Sequence, residues 1–597
     1  MSSPKLRART SVRSKDSSEK AYPMPMQSLA YAWRSLRRAP AFAVTAVLTL
    51  GVGIGATVAI FSVVDAIAIR QLPYGHPDRL VGAWHDLPGV DAKHATQGLA
   101  TYLTYTEFAH SLAGIGVYKQ TSVNLGGDRT GTPPERVHAA SMTANLLPLL
   151  ETGPRVGRNF SAEEDAPKGP NVVLISDGLW KRRFGADPNI IGKSIEVSAA
   201  QYQVIGVMSP SFHFPDAETQ IWVPQQIDRN DPTPGGFNYN GIARLKPGVT
   251  IKQATAEMQS VLPRAPELSP NLAPGVPTQM LLDKAKPIVV LDPLRDDIVG
   301  SFASILWIVG GAAILILGVA CANVANLLLV RAEARHRETA VRTALGAGRA
   351  HLLRQFFAEG VVLSMLGGVI GVALAIAGVR MFVAWGPPDI PRLAEVSVGF
   401  GSMAFALVVV VLVAVVFSVL PMLRRGDADL GSVLKDGGRG GTSGVGRQRM
   451  RATLVTAQVA LAVMALATSG VLGRTFQKLH DVKPGFDPSN TLTMWVSPSR
   501  TAFPGGADIT RFYQQVIDRV GALPGVKHVG VTSRVPLELD GDDMEPIWRE
   551  DAPALPGDKL PSLSMFEQTS GGYFAAMGIP LLAGQTFARL DRPVGQP

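Results

Sequence analysis

The chain has a single cysteine, Cys321, among its 597 residues. That excludes an internal disulfide, so any part lying outside the cytoplasm must fold without one. Cys321 itself falls inside an apolar run, where it reads as a small packing residue. A phosphate-binding loop is also missing. The stretch GADPNIIGKS, Gly185 to Ser194, is the nearest approach. It has more residues between its glycines than the motif allows, so it reads as a turn into the strand SIEVS. The glycines Gly51, Gly53 and Gly55 lack both a preceding strand and a following Lys-Ser/Thr, and they cradle no phosphate either. There is no His/Cys cluster with metal-ligand spacing, no Gly-x-Ser-x-Gly elbow and no evident carboxylate pair. An enzyme in the outer part of the chain therefore has no support, and the chain carries no catalytic, cofactor or metal residues of its own on this reading. Charge is scarce at 18% of residues, and the net charge of +9 is placed largely beside apolar runs. Nucleic acid would want those basic residues on an exposed surface; a membrane protein wants them where they are.

What the chain does have is apolar residues, 46% of the total, clumped rather than spread. Mean hydropathy is positive. Crossing ~30 Å of hydrocarbon takes ~20 apolar residues in a helix. Such runs lie at residues 41–69, 301–330, 356–385, 400–423 and 453–473. Before them, residues 1–40 form a Ser/Lys/Arg-rich cytosolic tail followed by an amphipathic helix. In that helix Met26, Leu29, Trp33 and Leu36 recur at helical spacing with Arg34, Arg37 and Arg38 between and after them, as in a helix lying on a membrane face. The first run carries the pair Gly51/Gly55, whose small side lets another helix approach closely in lipid. The second carries Asn323 and Asn326 near one end, amides suited to hydrogen bonds with a neighbouring helix. Residues 331–355 and 424–452 are basic connections.

Residues 70–299 are a different material. Pro, Gly, Asp and Asn punctuate short strand-like runs (NVVLIS, SIEVS, YQVIGVM) and helical pieces (TYTEFAHSL, SDGLWKRRF, TIKQATAEMQSVL). This is a soluble α+β domain or a pair of small lobes, and residues 474–597 are soluble again. Arginine is abundant before residue 41, after 330 and after 423, while the loop following the third run holds only Arg392 beside Asp389 and Glu395. The N-terminus is then cytosolic and both soluble parts lie outside. The fold class expected is an α-helical membrane protein of five spans with an extracytoplasmic α+β domain and the start of a second one. The second start is suggested by TANLLPLLETGPRVGRNF, ending at Phe160, and SGGYFAAMGIPLLAGQTF, ending at Phe587. The two share their Gly-x-x-Phe ending, Gly157/Phe160 against Gly584/Phe587. The chain then reads as one complete copy followed by the beginning of another, truncated at its C-terminal end.

The stretch that organises the rest is Cys321 to Glu359, CANVANLLLVRAEARHRETAVRTALGAGRAHLLRQFFAE. Alanine-rich RETAVRTALGA is a good helix former, and Gly346 and Gly348 can end it. Two spans joined by a short rigid cytosolic helix can transmit a push from a soluble partner. The bland alternative is that its arginines only set topology near lipid headgroups.

These stretches resemble a known family. LRRAPAFAVTAVLTLGVGIGATVAIFSVVDAIAIRQLPY resembles the N-terminal helix of MacB/FtsX-like ABC transporter permeases, in particular the duplicated permeases of acidobacteria. VVLISDGLWKRRFGADPNIIGKSIEVSAAQYQVIGVMSPSFHFP resembles the MacB-like periplasmic core domain, and Cys321 to Glu359 the FtsX-like permease domain, here residues 301–430. Leu147 and LETG depart from the family's usual Phe and Leu-Gly-Val. The resemblance implies a permease of the bacterial inner membrane, working in an ABC exporter or mechanotransmission complex. Its ATP would be bound by a separate cytoplasmic ATPase, and its other partners would be the bilayer, a second permease copy or a homodimer mate, and a periplasmic adaptor. By the same resemblance Arg337, Glu338, Ala340, Arg342, Ala344, Leu345, Gly346 and Ala347 belong to the segment that contacts the ATPase, and Arg335 and Arg349 of the same basic stretch are counted with its coupling residues. The alternative function is a non-transporting scaffold that regulates a periplasmic partner.

Overall fold

The structure is a computed structural model. It describes residues 32–126, 133–228, 237–273, 276–300, 302–334, 349–387, 390–419, 445–496, 498, 503, 505–536, 544–547, 562–565 and 567–587. The chain divides into two compact units. One gathers Met1–Ala66, Ser304–Gly386 and Val396–Arg474; the other gathers Ile67–Ala303, Pro387–Glu395 and Thr475–Pro597.

The first unit is built from helices. Five helices among the described residues are long and apolar enough to cross a membrane: Pro40–Ile69, Ser304–Leu328, Phe357–Trp385, Phe400–Phe417 and Val455–His480. They are called here the first to fifth spans. The first begins with Pro40 in its first turn, where a missing N–H costs nothing. It ends in a five-residue π-helical turn, Asp65–Ile69. Its buried side, with Leu50, Ile54 and Val58, packs with Leu363, Ala375, Val409, Val413 and Phe417 of the third and fourth spans. The fifth helix is longer than its apolar stretch. It runs Val445–His480, starting inside the basic linker and continuing past residue 473. Apolar composition marks only the hydrocarbon-spanning part, whereas backbone hydrogen bonding carries a helix onward into polar flanks. The described part of the fourth helix ends at Val419. Of the amphipathic N-terminal stripe, Met26 and Leu29 fall outside the described residues, and the other two part company. Leu36 is buried with the span residues, while Trp33 is exposed with the Arg37 guanidinium 5.5 Å from its ring.

The second unit is α+β. Its strands are β1 Leu80–Leu87, β2 Ala92–Ala95, β3 Leu112–Leu125, β4 Glu135–Met142, β5 Val156–Gly157, β6 Val172–Ile175, β7 Ser194–Val197, β8 Ala200–Val207, β9 Ile221–Pro224, β10 Asn240–Leu245, β11 Asn271–Ala273, β12 Val276–Pro277, β13 Ile288–Pro293 and the separate pair β14 Met544–Ile547 and β15 Ser562–Met565. Eleven of them form one sheet in the order β13-β1-β10-β3-β4-β9-β6-β8-β5, with β2 on β1 and β7 against β3 and β8; β11 and β12 pair apart. Local chemistry explains the elements. The apolar run of β6 is buried at every position, as a central strand requires. The helix Asp177–Phe184 follows it, capped by Ser176 Oγ accepting from the Leu179 N–H at 3.1 Å. Lys181, Arg182 and Arg183 occupy its last turn, and Gly185 closes it at φ 60. Ile251–Val261 begins with a Thr250/Gln253 capping box.

The two similar stretches near Phe160 and Phe587 fold alike. Each contains a four-residue helix, Leu146–Leu149 and Tyr573–Ala576. Each follows it with a left-handed residue in the same place, Glu151 at φ 52 and Gly578 at φ 64, and a second one at Gly157 (φ 91) and Gly584 (φ 86). Thr143 exchanges backbone hydrogen bonding with Val117 through N–H to carbonyl at 3.0 Å and hydroxyl from N–H at 3.1 Å. Ser570 does the same with Val531, at 2.8 Å in both bonds.

Candidate coupling site and helix interfaces

Residues Arg335, Arg337, Glu338, Arg342, Leu345 and Gly346 lie outside the described residues. Arg349 is the first residue of the helix Arg349–Trp385, and the preceding helix, Phe302–Ala334, is described to Ala334. Residues 335–348 are thus bracketed by the feet of two helices. Those feet are tied together through a third element. Ser35 Oγ donates to Glu359 Oε1 at 2.7 Å, and Arg331 Nη2 donates to the Ser35 carbonyl at 2.7 Å and to its hydroxyl at 3.1 Å. The Arg331 guanidinium also lies 4.5 Å from the centre of the Phe42 ring. Ser35 and Glu359 are almost fully buried. A carboxylate buried beside apolar helices is tolerated only with polar partners, so the N-terminal helix supplies what Glu359 needs. Sequence reading missed Ser35 and Glu359. The available signal was an acidic residue at the edge of an apolar run, which in a membrane segment marks a functional or pairing position.

The small residues of the first span meet small residues of the third. A β-carbon on Gly55 would lie 2.9 Å from the Gly371 carbonyl oxygen, and one on Gly51 would lie 2.8 Å from Ile370 Cγ2. At Gly55 and Gly371 the backbones approach this closely because both sides lack side chains. Thr57 and Ser62 add cross-helix hydrogen bonds, to the Ala313 carbonyl at 3.3 Å and to the Ser402 hydroxyl at 2.9 Å. Asn323 accepts a hydrogen bond from Gln458 of the fifth helix. Asn326 behaves differently: its Oδ1 is buried with no hydrogen-bond partner among the described residues.

In the second unit Arg392, at φ 58, occupies the loop between the third and fourth spans. Its guanidinium donates to the carbonyls of Ile67, Arg70 and Gln71 at 3.4, 2.8 and 3.2 Å, and pairs with Glu395 at 2.7 Å. A cation there suits the free carbonyls at the end of a helix. Beside it, burial and the Glu395 charge push the Tyr74 hydroxyl well above its usual range. Among the described residues no three His, Cys, Asp or Glu side chains are grouped so as to hold a metal ion.

Comparison with known proteins gives two family matches. Residues 43–261 match the MacB-like periplasmic core domain, and residues 310–428 match the FtsX-like permease C-terminal domain. The macrolide export ATP-binding/permease protein MacB of Bordetella avium (strain 197N) is 27% identical over 300 residues, 48% of this chain and 42% of that protein. The pyoverdine export ATP-binding/permease protein PvdT of Pseudomonas entomophila (strain L48) is 25% identical over 294 residues, 47% of this chain and 40% of that protein. This chain therefore spans less than half the length of these relatives. Among solved structures, the periplasmic region of MacB from Actinobacillus actinomycetemcomitans is similar at 14% identity, over 38% of this chain and 94% of that one, with a TM-score of 0.28. With an α+β domain matching one family part and the apolar helices around residues 310–428 matching the other, the chain belongs to the MacB/FtsX-like ABC transporter permeases, multi-pass proteins of the bacterial inner membrane with a periplasmic domain.

Proposed function

We propose that this chain is the membrane permease of an ABC-type exporter and that a separate cytoplasmic ATPase drives it through residues 331–355. The observation that carries this reading is the anchoring of both helices that flank the segment, Arg331 on one and Glu359 on the other, to Ser35. A push on the segment is then delivered to helices tied at their bases rather than dissipated in a loose loop. Arg335, Arg337, Glu338, Arg342, Leu345, Gly346 and Arg349 are the contact residues on this reading. On this reading ATP is bound by the partner. Relatives named for macrolide and pyoverdine export favour transport over a purely regulatory scaffold. The remaining partners are the bilayer, a second permease copy and a periplasmic adaptor. Val459, Val463, Leu466 and Val471 of the fifth helix are exposed, as residues facing lipid or another permease would be.

The test is affinity purification of the full chain from its native membrane, followed by assay of ATP hydrolysis in the eluate. Wild type should retain an ATP-hydrolysing protein. Glu338→Lys, or reversal of Arg335, Arg337, Arg342 and Arg349 to Glu, should lose it while the permease still inserts. Retention of the ATPase by the reversed variant sinks the proposal.

A further inference from the structure

The helix Leu294–Val299 is the last element of the periplasmic unit before the second span, from which it is separated by Gly300 at φ 49, ψ −136, a conformation open only to glycine. It is docked on the sheet by Leu294, buried in the same cluster as Leu72, Leu80 and Ile242, with Ile298 packed against that cluster. Its polar side meets an unusual niche. A β-carbon on Gly82 of β1 would lie 2.5 Å from Asp297 Oδ2 and 2.8 Å from Trp84 Nε1. The carboxyl group therefore rests in the gap that the glycine leaves, beside the indole. Directly across the sheet from Gly82, in register, is Asp292 of β13. Asp292 in turn faces His94 of β2, with Oδ2 and Nε2 3.2 Å apart.

We propose that this niche is a pH-operated latch: protonated Asp297 holds the helix Leu294–Val299 against β1, and ionised Asp297 loosens it.

Among the described residues, these groups act on the carboxyl. From β13 comes Asp292, which repels the ionised form; from β2 comes His94, which favours it; from β1 comes the Trp84 indole N–H, which also favours it. From β3 comes the buried Tyr118 hydroxyl, whose own ionisation Asp297 opposes. On the same helix Arg295 pairs with Asp296 at 3.0 Å. Burial is the largest influence and Asp292 the next, and together they push Asp297 up to about 6 from an ordinary 3.8. A carboxyl with a raised docked value favours docking below its free value, and that advantage fades as pH rises through the docked value. Undocking should thus grow about tenfold from pH 5 to pH 7. That window lies in reach of the medium around a periplasmic domain, and the element that responds is the one leading into a membrane span.

The test uses the full chain in lipid nanodiscs with 5-fluorotryptophan, the Trp84 signal assigned by Trp84→Phe. The fluorine resonance of Trp84 should titrate with a midpoint near pH 6. Amide exchange of residues 294–299, corrected for its intrinsic pH dependence, should rise about tenfold between pH 5 and 7. Asp297→Asn mimics the protonated group in shape, so it should fold, stay docked and show neither change. His94→Gln should keep the titration with its midpoint moved upward. A flat wild-type response overturns the latch. So does a titration that survives Asp297→Asn or disappears in His94→Gln, since the imidazole would then be the responding group.

Discussion

Replacing Gly371 by alanine probes whether the first and third spans are held by contact between small residues. An alanine β-carbon at 371 would lie 3.0 Å from both Cβ and Cγ2 of Ile54 and 3.1 Å from the Gly55 backbone nitrogen. Ile54 is fully buried and cannot swing away, and the nitrogen belongs to a helix backbone. Two opposed effects result. Alanine favours a helix over glycine by about 1 kcal/mol. Overpacking a tight contact costs about 1–3 kcal/mol. The sum is neutral to about 2 kcal/mol destabilising. Gly378 supplies the control, being on the same helix with nothing within 4 Å of the position its β-carbon would take. Gly378→Ala should gain the propensity benefit alone. The difference between the two variants cancels propensity and isolates the clash, expected at about 1–3 kcal/mol. Equilibrium unfolding of the purified chain in mixed micelles measures it. Ile54→Ala combined with Gly371→Ala should cost less than the sum of the two single changes, because the residues touch and their effects couple. If Gly371→Ala and Gly378→Ala shift stability equally, the close approach of these helices does not exist.

Two further outcomes concern the periplasmic unit. His85 is fully buried and shares a 2.7 Å hydrogen bond with Tyr105, and burial pushes its imidazole down to about 4 despite the opposing pull of the Thr96 backbone. The native state therefore holds it neutral. Stability should be lost as pH falls from about 6.5 toward the native value, by at most about 1.4 kcal/mol per pH unit. Urea unfolding across that range should give a steeper acid slope for wild type than for His85→Gln, and equal slopes would remove His85 as the cause. Arg244, nearly fully buried, donates to the carbonyls of Leu149, His76 and Gly75 at 2.5, 3.1 and 2.7 Å. Arg244→Met strands all three acceptors, at about 1 kcal/mol each, so the urea midpoint should fall by the equivalent of about 3 kcal/mol. A midpoint within error of wild type contradicts the clamp.

The parts of this protein that could be read from the sequence are those whose cause is local. The run Val172–Ile175 is uniformly apolar, Ser176 stands where a cap is needed, and Gly185 stands where the helix must end; the strand, helix and turn follow in that order. The spans were equally visible, because the bilayer asks only for length and apolar content. The fifth helix extends beyond its apolar stretch for the same reason: Val445 and His480 sit in polar sequence that hydropathy ignores. What stayed hidden depends on chain segments far apart. Ser35 and Glu359 are separated by 324 residues, and nothing beside either one names the other as its partner. Asp297 looks like a surface acid of a short helix, and Gly82 like a flexible point in a strand. Only the register Gly82↔Asp292 puts an empty side-chain position beneath one carboxyl and a second carboxyl beside it. A glycine in a strand and an acid in a helix each carry a weak signal alone. Their meaning arises when the sheet aligns them, and the same holds for Gly55 with Gly371 in the membrane helices. In both cases the informative residue is the one with no side chain, since it fixes where a partner can come closest, and no pattern within its own segment reveals which partner that is.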